Sequence, residues 1–108
     1  MGKASQRKGK RGEEELETIL TEYGYAVKRG QSQNHGTEPD LSGLPGIHVE
    51  VKRNERLNIM EAMEQAERDS VRFADGFPAV FHRRNRKPWV VSMLLTDWIE
   101  IYRKGVDK

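Results

Sequence analysis

The chain of 108 residues is 35% hydrophobic and 33% charged, enough for one modest core beneath a densely ionic surface. Cysteine is absent, which excludes disulfides and thiolate metal sites. No apolar run is long enough to span a bilayer and no signal-peptide pattern opens the chain, so a cytoplasmic protein is expected.

The net charge of +2 is unevenly distributed. Lys3, Arg7, Lys8, Lys10 and Arg11 precede the first acid, and residues 1–9 read as a flexible basic arm ahead of a single domain over 10–108. From about Arg11 the pattern turns helical, with Leu16, Ile19, Leu20 and Tyr23 at helical spacing and Gly24 as a natural stop. Glu13 falls at the edge of that apolar stripe, while Glu14 and Glu15 are expected to face solvent. Residues 25–29 alternate as a strand, and the polar segment 30–38 reads as a loop.

A short strand over 40–42 and a Gly43-Leu44-Pro45-Gly46 turn lead into the clearest strand, 47–52. There Ile47, Val49 and Val51 share one face, and His48, Glu50 and Lys52 share the other. Asn58 with Glu61 resembles a capping box opening a helix to about Ala74, its apolar side carrying Ile59, Met63, Ala66 and Phe73. Segments 78–82 and 89–95 are β-rich and flank the basic run His82-Arg83-Arg84-Asn85-Arg86-Lys87, as in a hairpin. Thr96 is a candidate N-cap for a final short helix with Trp98, Ile99 and Tyr102; Trp89, Trp98 and Tyr102 suit core or dimer packing, with stacking on bases as the alternative. The order α-β-β-β-α-β-β-α predicts an α/β domain, with helices on the faces of a small mixed sheet.

The chemistry concentrates in Pro39-Asp40 and, nine residues on, Glu50-Val51-Lys52. Glu50 and Lys52 share a strand face, and Asp40 lies beside Glu50 if the two strands pair. Adjacent carboxylates repel and lose hydration unless a cation neutralises them. A hard cation such as Mg²⁺ suits Asp40, Glu50 and the backbone carbonyl of Val51, with waters kept for a substrate phosphate. Lys52 can then orient or help deprotonate the attacking water and offset charge in the transition state. The bland alternative is a Pro-Asp turn and a surface Glu–Lys pair. Glu13 is either a partner of the helix dipole or a third acid turned toward the site. The basic runs suit a polyanion, or are a solvated tail and hairpin tip. His48 is either a phosphate contact or a plain sheet-face residue. No second histidine stands at zinc-ligand spacing, and no phosphate-binding glycine loop or dinucleotide fingerprint occurs.

Arg7-Lys8-Gly9, Glu13-Glu14-Glu15-Leu16, Pro39-Asp40-Leu41 and Glu50-Val51-Lys52, taken in that order, resemble the archaeal-type Holliday-junction resolvases. These belong to the PD-(D/E)xK, or restriction-endonuclease-like, nucleases. The run 43–53 is similar to small phage and prophage members of the group. The resemblance implies an αβββαβ core with a C-terminal strand and short helix. It also implies Mg²⁺-dependent hydrolysis of DNA leaving a 5′-phosphate, Mn²⁺ as a substitute ion, a homodimer, and the cytoplasm of a bacterium or phage-infected host. No small-molecule cofactor and no membrane partner is expected.

Carried over by position, Glu13 is the helix acid and a further metal ligand, Asp40 and Glu50 are metal ligands, and Lys52 is the catalytic lysine. Gln65 matches a position where such nucleases place a glutamine near the site; otherwise it is an exposed helix residue. The Ser- and Gly-rich loop of the resolvases reads Gln31-Ser32-Gln33-Asn34-His35-Gly36 here, with Ser32 as a candidate DNA contact. Arg7, Lys8, Lys10, Arg11, Arg53, Arg83, Arg84, Arg86 and Lys87 are the other expected DNA contacts. A nuclease of the same fold acting on flaps, nicks or linear duplex is the alternative, as is a binding module without catalysis.

Overall fold

The computed structural model describes residues 3–30 and 38–106, and of residues 3–8 only the helical backbone. Helix α1 (Lys3–Glu22) leads into β1 (Lys28–Arg29), β2 (Leu41–Ser42) and β3 (Ile47–Lys52). Helix α2 (Ile59–Phe73) then connects to β4 (Phe77–His82), β5 (Val90–Met93) and α3 (Leu95–Val106). The element order is the expected one. No helix among the described residues is long and apolar enough to cross a membrane.

The five strands form one sheet in chain order. Pairing is antiparallel except between β3 and β4, which run parallel from Ile47↔Phe77 to Lys52↔His82. A parallel pair needs a crossover, and α2 supplies it. Strand β3 is buried on both faces, because α1 covers one side of the sheet and α2 the other. Leu16 of α1 packs with Leu41, Val49, Val51, Ala79 and Phe81; Ala62, Met63 and Ala66 of α2 pack with Val80. The expected alternation of β3 is therefore correct, but its polar face lies under a helix rather than in solvent.

Three boundaries differ from the sequence expectation. Helix α1 starts at Lys3 rather than near Arg11, so the stretch read as an arm is helical from that residue. Its polar residues leave no apolar period to read, yet each further turn costs little once the packed half has formed. Strand β1 is only two residues, since Tyr25 N–H bonds Leu20 O and Val27 N–H bonds Tyr25 O instead of a neighbouring strand. Helix α3 begins at Leu95, which places Thr96 inside its first turn and not at the cap. Helix α2 opens on Asn58, whose Oδ1 accepts the Glu61 N–H at 3.2 Å, and closes on Ala74, both as expected, with Ala74 in the left-handed region at φ 50°.

Two glycines set close backbone approaches. Within α1, a Cβ on Gly12 would lie 2.7 Å from the Cβ of Arg53, so the helix can lie against the end of β3 only without that carbon. Gly76, at φ 130°, crosses the start of β3 so tightly that a Cβ would fall 2.2 Å from the carbonyl carbon of Gly46. The Phe77 N–H bonds Gly46 O at 2.9 Å there, and the parallel pairing begins. Gly76→Ala is expected to cost about 3 kcal/mol, because strained φ and a backbone clash coincide. Urea unfolding checks this; a loss under about 1 kcal/mol would mean the crossing is loose.

Candidate active site

Asp40, at the mouth of β2, meets β3 through its Oδ2, which accepts the Val51 N–H at 2.8 Å. Pairing of Leu41 with Val49 holds the two strands in that register. Asp40 therefore lies beside Glu50, as strand pairing predicted. Burial, then the charge of Glu50, push the Asp40 carboxyl up to about 7 against the opposing Val51 hydrogen bond, and Glu13 adds further repulsion. Glu13, partly buried on α1, is thus turned toward the same acidic group.

Glu50 is 4% exposed and is the centre of the cluster. Its Oε2 accepts from Gln65 Nε2 at 3.2 Å, and Gln65 Oε1 in turn accepts from Lys52 Nζ at 2.9 Å. Gln65 is therefore not a free surface residue. It is a bridge that fixes the lysine relative to the glutamate, and α2 places it there by packing Ala62 and Ala66 against the sheet. Burial alone would raise the pKa of Glu50. The His48 hydrogen bond and the Lys52 charge outweigh that and lower it, so the carboxylate stays ionised.

His48 carries the largest departure from the sequence reading. It is 1% exposed and lies between two acids, with Nδ1 2.9 Å from both oxygens of Asp75 and Nε2 3.1 Å from Glu50 Oε1. The Phe73 ring stacks over it at 6.2 Å. Burial opposes its charge, but the bonds to Glu50 and Asp75 prevail and carry its pKa up to about 8. A neutral imidazole has one N–H and would aim a lone pair at one of those carboxylates. The imidazolium donates to both. His48 is accordingly a buried counter-cation, neither a phosphate contact nor an inert face residue.

Asp69, one turn beyond Gln65 on α2, completes the group. Ligand atoms of His48, Glu50 and Asp69 all lie within 4.8 Å of one another. Burial and then Glu50 raise the Asp69 pKa. Glu50 thus has acids on two sides. On the Asp69 side His48 supplies the compensating charge. Toward Asp40 no histidine stands among the described residues, and the Asp40–Glu50 pair could hold a hard divalent cation.

The expected DNA contacts divide into three groups. Lys10 and Arg11 of α1, and Arg84, Arg86 and Lys87 of the β4–β5 turn, are exposed. Arg53 is buried beneath Gly12, with Nε 3.7 Å from Glu15 and Nη1 3.9 Å from Glu55, so it is not an outward phosphate ligand. Arg83 is held by Glu15 at 2.8 Å and by Lys87 O at 2.6 Å. Glu15, expected in solvent, is therefore the acid that ties α1 to the turn. Arg11, Glu15 and Arg83 line one shallow hollow, which joins the two basic segments across the surface. Ser32 and the side chains of Arg7 and Lys8 lie outside the described residues.

The archaeal Holliday junction resolvase (Hjc) family model matches residues 4–105. The chain belongs to that family. The fold is similar to that of Hjc from the archaeal hyperthermophile Archaeoglobus fulgidus, itself a Holliday junction resolvase. The TM-score is 0.57 and the identity 23%, over 80% of this chain and 72% of that one. No curated protein matches the chain.

Asp40 gives a test that needs no DNA. A carboxyl whose pKa rises on folding, here from 3.8 to about 7, holds its proton longer folded than unfolded. In chelator-treated protein, stability contributed by this group is then lost as pH rises across that window. Asp40→Asn removes the dependence, so its melting temperature should exceed the wild type's at pH 8 by at least about 4 °C and approach it at pH 4. A variant less stable than wild type at pH 8 would mean that Asp40 and Glu50 do not repel.

Proposed function

We propose that this chain is a Mg²⁺-dependent DNA endonuclease that resolves branched DNA, working as a homodimer in the cytoplasm. One observation carries the reading. Asp40 and Glu50 are pressed together in a partly buried site, with Asp40 pushed up to about 7, and Lys52 stands beside them on a glutamine bridge. Membership in the resolvase family supplies the substrate class.

Asp40, Glu50 and the Val51 carbonyl would hold the ion, with Glu13 as a further carboxylate nearby; Mn²⁺ would fit the same oxygen donors. Bound there, such an ion would polarise the phosphodiester and lower the pKa of a coordinated water. The protein's own groups do the rest. His48 keeps Glu50 ionised from the far side, so the carboxylate is ready without waiting for a proton to leave. Lys52 Nζ, steered by Gln65 Oε1, can donate to the attacking water or to a phosphate oxygen as negative charge develops. Lys10 and Arg11 on α1 and Arg84, Arg86 and Lys87 on the β4–β5 turn would grip backbone phosphates, which fixes position rather than sequence.

One site cuts one strand, so symmetric resolution of a junction calls for two sites about a two-fold axis. Exposed Val90 and Val91 of β5 and Trp98, Ile101 and Tyr102 of α3 supply apolar area for such an interface, and Trp98 stacks on Tyr102 at 5.1 Å.

Cleavage of labelled four-way junction, flap, nicked and linear duplex DNA in Mg²⁺ or Ca²⁺ tests the reading. The junction should be cut in Mg²⁺ only. Asp40→Asn should lower cutting by at least about a thousandfold while junction binding persists. Equal cutting by the variant would reject the site, and preference for flaps would reject the resolvase assignment while keeping the nuclease. Wild type should elute as a dimer in gel filtration, and Trp98→Glu as a monomer. A wild-type monomer on junction DNA would remove the paired-incision model.

A further inference from the structure

Beside Lys52 lies a hollow of about 490 Å³ between the loop after β3 and the first turns of α2. That volume is within the usual range of ligand clefts, about 300–1,000 Å³. Lys52 and Gln65 form its inner wall, so it is continuous with the catalytic cluster. Arg56 enters from the loop, and Arg68 from α2 one turn past Gln65. Leu57 and Ala62 provide apolar lining, and Asn58, the N-cap of α2, borders the hollow.

The two arginines differ from the others near the site. Arg53 and Arg83 are drawn onto Glu15, and Arg29 onto Glu14 and Glu17. Arg56 and Arg68 are exposed and have no ion-pair partner among the described residues, although Glu61 and Glu64 border the same hollow. Those two acids, exposed on α2, make the helix surface itself unwelcoming to phosphate. An anion entering the hollow would therefore be fixed by the arginines, whose planar forks match phosphate oxygens.

We infer that this hollow receives the nucleotide next to the scissile bond, with Arg56 and Arg68 on its backbone phosphate. The inference rests on the nuclease reading, because a strand whose phosphate reaches Lys52 must continue into the neighbouring space. It gives the loop after β3 and the outer face of α2 a role in holding the cut strand. The basic turn at 84–87 would act on more distant phosphates.

The test is junction binding in Ca²⁺, measured over a salt series with the full chain. Arg56→Ala/Arg68→Ala should weaken binding about tenfold to a hundredfold at low salt and flatten the slope of log K against log salt by about 1 to 2. Arg56→Lys/Arg68→Lys should keep the wild-type slope. A second arm uses junctions carrying a neutral methylphosphonate in place of one phosphate flanking the cut, on either side in turn. At one of the two positions it should weaken wild-type binding and add no further loss in the double-alanine protein. A double-alanine slope equal to wild type, or losses that add at both positions, would overturn the inference. Failure of wild-type protein to bind or cut any DNA would instead reject the nuclease reading.

Discussion

Keeping Glu50 ionised inside the protein is the constraint around which the rest of this structure is arranged. An isolated buried carboxylate would take up a proton, and a protonated acid is a poor ligand for a cation. Groups from several neighbouring segments prevent that. Strand β3 supplies His48 and Lys52 from its own face, and α2 supplies Gln65. The residues just past α2 bring Asp75, which holds His48 in place from behind. The carboxylate–imidazolium–carboxylate chain resembles the outer-shell partners that orient metal ligands, but here the imidazolium acts on Glu50. Asp40 then arrives on the other side, where burial and the charge of Glu50 raise its own pKa to about 7, so two carboxyl groups are crowded together where β2 meets β3.

That arrangement depends on backbone geometry far from any charge. His48 reaches Asp75 only because α2 ends on a left-handed Ala74 and the chain then crosses Gly46 at Gly76. The same crossing starts the parallel β3–β4 pairing, so one tight contact sets both the sheet and the buried histidine. On the opposite face a second network works differently. Glu15 draws in Arg53 and Arg83, and Glu55 accepts the Asn85 N–H at 2.6 Å. Ion pairs of this kind contribute little net stability. Their effect is positional: they bind α1, the end of β3 and the basic β4–β5 turn together, and so hold the cationic surface at a fixed distance from the acidic centre.

How much of this could be read in the sequence follows from the range of each interaction. Strand alternation put Glu50 and Lys52 on one face, and chain order put Asp40 next to them, because both are local patterns. Gln65 was reachable only through family resemblance, since helix periodicity leaves it at the margin of the apolar stripe. Asp69 and Asp75 carried no signal. Their roles come from the angle at which α2 crosses the sheet and from the turn that follows, which spacing along the chain does not encode. For His48 a signal existed, a histidine on the face of Glu50, but its partner lies 27 residues away. Charge misled in the other direction. Arg53, Arg83 and Glu15 looked like solvent-facing groups by composition, yet they meet because Gly12 lets α1 lie close against β3. The start of α1 was hidden for a similar reason, since a helix without an apolar face leaves no period.

The charge layout also separates a catalyst from a protein that merely holds nucleic acid. Binding a polyanion is served by cations alone, and each acid near the phosphates works against it. This chain has its cations at α1, the β4–β5 turn and the hollow beside Lys52, yet it faces them with Asp40, Glu50, Asp69 and Glu13. It further invests a buried histidine in keeping one of those acids charged. A binding module gains nothing from that outlay. The arrangement makes sense when a cation sits between acid and phosphate, for then the same carboxylates that repel DNA become the groups that draw the scissile bond to the ion. On the proposed function, the crowding of Asp40 against Glu50 would be the source of the ion's affinity, and with it of the site's selectivity for a state in which metal and substrate are both bound.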